Sequence, residues 1–303
     1  MAGLNNHTNA SNDIHRIDLS NTTLAYRQSN HIPDKGEPMP PLILIHGWGG
    51  SSRNWQYTIE RLADMRLIYA LDLPGYGDSP PLEDPPNWDH MSQIVVDFAD
   101  ALGLKQFDLN GHSFGAGVSA YVASRWSDRV RSLILTCFST YRNELERRVV
   151  EQFLRQMGLS VAMWQPWMAL WEPWMALWQP WMVWMGGISS MYQALAWRFF
   201  HRMPSNERLL QEGFEDFLRM DGRTALVNAS SASDPTLNAA LADIRVPTMI
   251  VGTRQDMIMP PSGVEVVAQL VGQGQPAWID QCGHLPMLEQ PDQYHQLVRR
   301  FLQ

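Results

Sequence analysis

The chain has 303 residues, 45% of them hydrophobic and 18% charged, with a formal net charge of −8. That length buries a sizeable core and fits one domain with an insertion. The acidic balance, without any basic block, argues against a nucleic-acid partner, and two cysteines, Cys137 and Cys282, give no disulfide framework.

Residues 1–16 are polar and rich in Asn. They have neither a basic stretch nor an apolar run of the kind a secretory signal needs, so a disordered tail and a cytoplasmic address are expected. Leu24-Ala25-Tyr26-Arg27 reads as an early strand. Pro41-Leu42-Ile43-Leu44-Ile45 reads as a buried strand that runs into His46-Gly47-Trp48-Gly49-Gly50. A glycine-rich loop in that place lets backbone N–H groups point into a cavity. A helix follows over about 53–63, with Trp55, Ile59 and Leu62 inward. Next come a strand over 66–72 and a turn-rich loop, Pro74-Gly75-Tyr76-Gly77-Asp78-Ser79. The spacing of Ile94, Val95, Phe98 and Leu102 predicts a helix over about 91–102.

The next segment carries the most chemistry. Phe107-Asp108-Leu109-Asn110 reads as a strand and Gly115–Trp126 as a helix. Between them stands Gly111-His112-Ser113-Phe114-Gly115. This is the G-x-S-x-G turn that exposes a serine hydroxyl at a helix N-terminus, where partial positive charge favours a developing anion. Val130–Thr136 is a further strand, and Cys137 at its end reads as a buried thiol.

From 141 to 157 a helix mixing Arg142, Arg147, Arg148 and Arg155 with Glu144, Glu146 and Glu151 is expected. A period-seven repeat then spans 164–185, with Trp-Gln/Glu-Pro-Trp-Met recurring three times. Tryptophans spaced by three and four fall on one helical stripe. Pro166, Pro173 and Pro180 oppose a straight helix, at roughly 3 kcal/mol each, so a kinked or broken helix is expected. The rings, Trp167, Trp174 and Trp181 among them, either roof an apolar substrate pocket or meet a lipid interface; a tolerated expansion without function is the third reading. Helices near 235–242 and 262–270, strands at 247–252 and 276–280, and a terminal helix over 291–301 complete the chain. Asp256 follows the first of these strands, and His284, in Gly283-His284-Leu285-Pro286, follows the second. Alternating strands and helices over this length mean a mostly parallel sheet covered on both faces.

These motifs resemble the α/β-hydrolase family, most closely its small serine carboxylesterases such as the pimeloyl-carrier-protein methyl ester esterases. The resemblance rests on His46–Gly49, Asp72–Ser79, Gly111–Gly115, Gly252–Asp256 and Gly283–Pro291. It implies an α/β-hydrolase core over 17–138 and 225–303, with an inserted helical cap over 139–224. Ser, Asp and His come in the family's chain order, each past a strand end.

Chemistry assigns the roles. Ser113 is the nucleophile, His284 the base that takes its proton, and Asp256 the acid that fixes the imidazole. The amide after the nucleophile, Phe114, supplies one oxyanion donor; the resemblance implies Trp48 as the other. Asp280 is the rival acid. His46 and His112 read as loop braces, and Glu289 as a helix-start charge. No H-E-x-x-H or C-x-x-C spacing occurs, so no metal is expected, and the chemistry calls for no cofactor. Serine at the elbow excludes alkyl-ester chemistry, because attack there would leave an ether that water cannot readily cleave. The expected activity is hydrolysis of an apolar acyl or aryl ester through an acyl-enzyme. A carbon–carbon bond hydrolase and a slow-turnover ligand receptor of the same fold are the alternatives. A small-molecule ester is the expected partner, with peripheral lipid and an acyl carrier protein as further candidates.

Overall fold

The computed structural model describes residues 13–30, 39–140, 196–231, 234 and 236–303, with 144, 145, 147–149, 151, 152, 155, 156, 158–160, 162, 163 and 193. The tryptophan repeat, with Trp167, Trp174 and Trp181, lies outside the described residues. Eight strands form one sheet: β1 (His15–Asp18), β2 (Thr23–Gln28), β3 (Leu42–Ile45), β4 (Ile68–Leu71), β5 (Phe107–His112), β6 (Val130–Thr136), β7 (Thr248–Thr253) and β8 (Gly274–Ile279). Their spatial order is β1-β2-β4-β3-β5-β6-β7-β8. β1 pairs with β2, and β2 with β4, antiparallel. All other pairings are parallel.

The central strands read as unbroken apolar runs because both faces are covered. In β3, Ile43 and Ile45 enter one core and Leu42 and Leu44 the other, as the two-residue period of a strand requires. The first core takes in α2 (Trp88–Ala101) and α3 (Phe114–Arg125). The second takes in α1 (Gln56–Leu62), through Ile59 and Leu62, and the C-terminal helix. The edges are different in kind. β1, His-Arg-Ile-Asp, alternates between half-buried and exposed. β8 carries Pro276, which has no N–H to give to a ladder and is tolerated on an edge.

Between β6 and β7 the described chain forms α4 (Glu207–Arg219), α5 (Gly222–Ser231) and α6 (Thr236–Ala242). After β7 come α7 (Ser262–Leu270), the short α8 (Pro286–Glu289) and α9 (Pro291–Leu302). Prolines open α8 and α9, where a missing N–H costs nothing. Among the described residues, no helix is long and apolar enough to cross a membrane.

Two details differ from the expectations. His15 and Arg16, expected in the tail, belong to β1, held by register with Tyr26 and Ala25. The helix expected from 53 begins as a single 3-10 turn, Ser52–Trp55, before α1. The Ser51 hydroxyl accepts from Arg53 N–H and the Asp72 carboxylate from Ser52 N–H, which fixes that tight start.

Candidate active site

The sheet brings four loops to one end: those after β3, β5, β7 and β8. Ser113 caps α3 at φ 52° and ψ −117°, a conformation that costs a non-glycine residue roughly 1–3 kcal/mol. It is held there because its N–H donates to Thr136 O at 2.9 Å and its carbonyl accepts from Ala116 N–H at 2.9 Å. The flanking glycines are needed for close approach. A Cβ at Gly111 would run into the Gly115 carbonyl and the Ser119 hydroxyl, and one at Gly115 into the His46 carbonyl. Phe114 opens the helix, so its amide has no carbonyl within the helix to bond.

His284 and Asp256 meet. His284 Nδ1 lies 2.7 Å from Asp256 Oδ2, with both side chains buried. A carboxylate only accepts, so Nδ1 carries the proton and Nε2 keeps its lone pair. The other oxygen of Asp256 accepts from Ile258 N–H at 2.8 Å and Met259 N–H at 2.9 Å, which fixes the carboxylate in place. The rival, Asp280, has a side chain 82% exposed and sits 3.8 Å from Arg254. Ser113 and His284 line one cavity together with Trp48 and Phe114.

Three further residues tie these loops together. Leu73 N–H donates to His46 Nε2 at 3.0 Å, and His46 Nδ1 donates to Gly47 O at 2.8 Å. Burial holds its pKa below the ordinary value, so it stays neutral. His112 Nε2 donates to the His284 carbonyl at 2.8 Å. Burial, then the nearby His284, holds the His112 pKa well below normal. Glu289 is more than a helix-start charge. It accepts from Gly283 N–H at 2.7 Å, Arg202 N–H at 2.7 Å and His201 N–H at 3.1 Å. His284 N–H in turn donates to Phe199 O at 2.6 Å. The histidine loop is therefore fastened to residues 199–202. The only hint in the sequence is a carboxylate five residues beyond His284.

The ligand atoms of His112, Cys137 and His284 lie within 4.8 Å of one another. Burial, and then Asp256, push the Cys137 thiol well up, so it stays protonated and is a poor metal ligand. His284 Nδ1 is already committed to Asp256.

A family model described as the alpha/beta hydrolase family matches residues 42–297. The chain belongs to the alpha/beta hydrolase family. Among curated proteins, the dihydrolipoyllysine-residue acetyltransferase component of the acetoin cleaving system of Pseudomonas putida is 41% identical over 100 residues, 33% of this chain and 27% of that protein. The chain thus matches about a quarter of the length of the first curated relatives. A 2-hydroxymuconate semialdehyde hydrolase of Pseudomonas sp. is 26% identical over 280 residues, 86% of each protein. The pimeloyl-acyl-carrier-protein methyl ester esterase of Nitrosomonas europaea is 22% identical over 276 residues, 88% of this chain and 96% of that one. A solved hydrolase from Pseudomonas aeruginosa superposes with a TM-score of 0.74 at 18% identity, covering 96% of this chain and 99% of that one. That likeness is one of fold.

Two cavities meet at the candidate site. One holds Ser113 and Phe114. The other holds the glycine loop Gly47–Gly50 and is walled by Phe199, Phe200, Leu209, Leu210 and Phe217. Trp48, Phe199 and His284 belong to both. Trp48 is fixed by its indole N–H, which donates to Ala225 O at 2.9 Å, and by an edge contact with Phe217. α4 thus makes a wall of the site. It is latched by Asp216, whose buried carboxylate accepts from the Ser51 hydroxyl beside the glycine loop.

Proposed function

We propose that this hydrolase cleaves carboxylic esters with apolar acyl or aryl groups through a Ser113 acyl-enzyme. The observation that carries the reading is the Asp256–His284 pair, with His284 lining the same cavity as Ser113. Ser113 attacks the ester carbonyl while His284 takes its proton. Asp256 holds the imidazole tautomer and stabilises the cation that forms. The Phe114 and Trp48 amides bind the oxyanion. His284 then protonates the leaving alcohol, and water, activated by the same imidazole, releases the acid. Two mainly apolar cavities that share His284 suit the two halves of an ester either side of the scissile bond.

The relative that hydrolyses 2-hydroxymuconate semialdehyde makes carbon–carbon hydrolysis the second reading. Rapid-mixing kinetics with p-nitrophenyl esters, a vinylogous diketone as the competing substrate, and labelling by a fluorophosphonate separate the readings. The expected result is a burst followed by steady turnover of the ester, with label on Ser113. Ser113→Ala lowers kcat by about 10⁴–10⁶. Label on another residue, or preferred turnover of the diketone, overturns the esterase reading. A single burst with no turnover assigns a receptor instead.

A further inference from the structure

The glycine loop after β3 is held from two sides. From the core, His46 Nδ1 donates to Gly47 O, and a Cβ at Gly47 would lie 2.7 Å from the His112 ring. Gly50 N–H closes the turn by donating to Gly47 O at 3.1 Å. From the other side the hold comes from α4 and α5. The Trp48 indole is bonded to Ala225 O on α5, and its ring meets Phe217 of α4 edge-on, with centroids 5.7 Å apart. Gly49 stands at φ 76°, so near Phe217 that a Cβ there would lie 3.1 Å from that ring. The Ser51 hydroxyl donates to the carboxylate of Asp216, the residue before Phe217. Trp48, Gly49 and Ser51 are thus all held by α4 and α5.

Of these ties, the Ser51–Asp216 bond is the one with an ionisable partner, and both ends are out of water: Ser51 is 2% exposed and Asp216 1%. Hydrogen bonds to a carboxylate are stronger than those between neutral groups. The direction of the hydroxyl is also fixed. Ser51 Oγ accepts from Arg53 N–H at 3.2 Å, so its own proton goes to α4. Asp72 holds the same turn from the core, accepting from Ser52 N–H at 2.6 Å. Ser51 is therefore the joint between the glycine loop and α4. On α4, Leu210, Gly213, Phe214 and Phe217, the neighbours of Asp216, line the cavity. A bond that served only to dock α4 could end anywhere on the core. This one ends three residues beyond Trp48, in a loop whose three glycines give it little stiffness of its own.

We infer that Asp216 is a positioning residue for the proposed reaction: through Ser51 it fixes the glycine loop so that the Trp48 amide stands where the oxyanion forms. This rests on the esterase reading, in which that amide is one of the two oxyanion donors. Such a donor works only when it is aimed in advance at the place where charge develops. A donor that wanders stabilises the transition state less and leaves ground-state binding almost unchanged, so its loss falls on kcat rather than KM. The helix that walls the cavity thereby also holds the donor.

The test compares Ser51→Ala/Asp216→Ala, Asp216→Asn and Glu215→Gln with wild type at pH 8. The double variant removes both ends of the bond, so no buried carboxylate is left without its partner; urea unfolding checks that it folds, and Ser51→Ala alone takes its place if it does not. Asp216→Asn keeps a partner for Ser51 without the charge. Glu215→Gln removes the neighbouring carboxylate, 3.4 Å from Arg53, and spares the bond. Two quantities are read: steady-state hydrolysis of p-nitrophenyl butyrate, and the rate at which a fluorophosphonate labels Ser113, since its phosphoryl oxygen draws on the same donors. Outright loss of an oxyanion donor costs about 10²–10³ in kcat, so a loosened one is expected to cost about 10–100-fold, in kcat and in labelling rate alike, with KM little changed. Asp216→Asn and Glu215→Gln are expected to stay close to wild type. An untied variant with wild-type kcat and labelling rate overturns the inference, as does a loss confined to KM. An equal loss in Asp216→Asn or in Glu215→Gln also overturns it, because the bond is then not what matters. Hydrolysis of no ester refutes the esterase reading instead, and the labelling rates then decide the inference by the same outcomes. Wild-type protein that neither turns over ester nor takes label overturns both.

Discussion

Asp216→Asn should stabilise this protein at neutral pH and leave it unchanged in acid. Asp216 lies on α4, buried, with its carboxylate accepting from Ser51 and 3.4 Å from Arg53. Burial raises its pKa from 3.8 to about 6; Ser51, Arg53 and Arg219 pull it down, and Asp72 pushes it up. Between those two pH values the folded chain keeps a proton that the unfolded chain has lost. Stability from this group therefore falls as pH rises from about 4 to 6 and stays lower above that. Each pKa unit is worth 1.36 kcal/mol, so the ionised form costs the fold about 3 kcal/mol. Asparagine has nearly the same shape, still reaches Ser51 and never ionises. Urea unfolding followed by tryptophan fluorescence, from pH 4 to 8, measures the difference between the two proteins. Other titrating groups cancel in that difference. The expected gain is close to zero at pH 4 and rises to as much as about 3 kcal/mol at pH 8. A difference that does not change with pH, or an Asn variant less stable at pH 8, refutes the reasoning.

His295 works in the opposite direction. Burial lowers its pKa to about 4, and its Nε2 lies 2.8 Å from the Thr58 hydroxyl. The unfolded chain therefore gains a proton there that the folded chain refuses, and stability is lost as pH falls from 6.5 towards 4. His295→Gln should flatten that acid limb in the same unfolding assay, by up to about 3 kcal/mol. Asp256→Asn should lower kcat by about 10⁴. Two backbone N–H groups already claim one oxygen, so the new NH₂ is forced towards His284 and imposes the wrong tautomer. Asp280→Asn, on an exposed side chain, should leave steady-state rates close to wild type. Glu289→Ala frees three backbone amides. It should lower the urea midpoint, by about 1–3 kcal/mol of stability, and reduce kcat more than it changes KM, because it loosens the loop that carries His284.

The strands that place the site were readable because burial on both faces leaves no room for polar residues. Leu42–Ile45 and Ile68–Leu71 are buried at every position. β1 escaped notice for the converse reason: as an edge it keeps His15, Arg16 and Asp18, and nothing local separates it from a polar tail. Ser113, Asp256 and His284 were placed by a local rule, the strand end, and the chain brings them to one end of the sheet. The ties between their loops follow no local rule. His112 and the His284 carbonyl are 172 residues apart, and Ser51 and Asp216 are 165 apart. Each looks from its own neighbours like an ordinary loop or helix residue.

The ties also explain why a histidine can stand beside the candidate base without disabling it. The rings of His112 and His284 are 4.7 Å apart. In the proposed reaction His284 would become a cation on taking the Ser113 proton, and a second imidazolium at that distance would oppose the transfer. His112 avoids this by being a donor through Nε2 in its neutral form, with the other nitrogen buried and bare. The bond goes to the main chain of His284, so it sets the position of the base without competing for its ring nitrogens. Asp256 then acts on Nδ1 alone. One neighbour fixes where the imidazole stands and the other fixes which nitrogen holds the proton. Nε2 is thereby left as the one basic atom of His284 for the reaction proposed at Ser113.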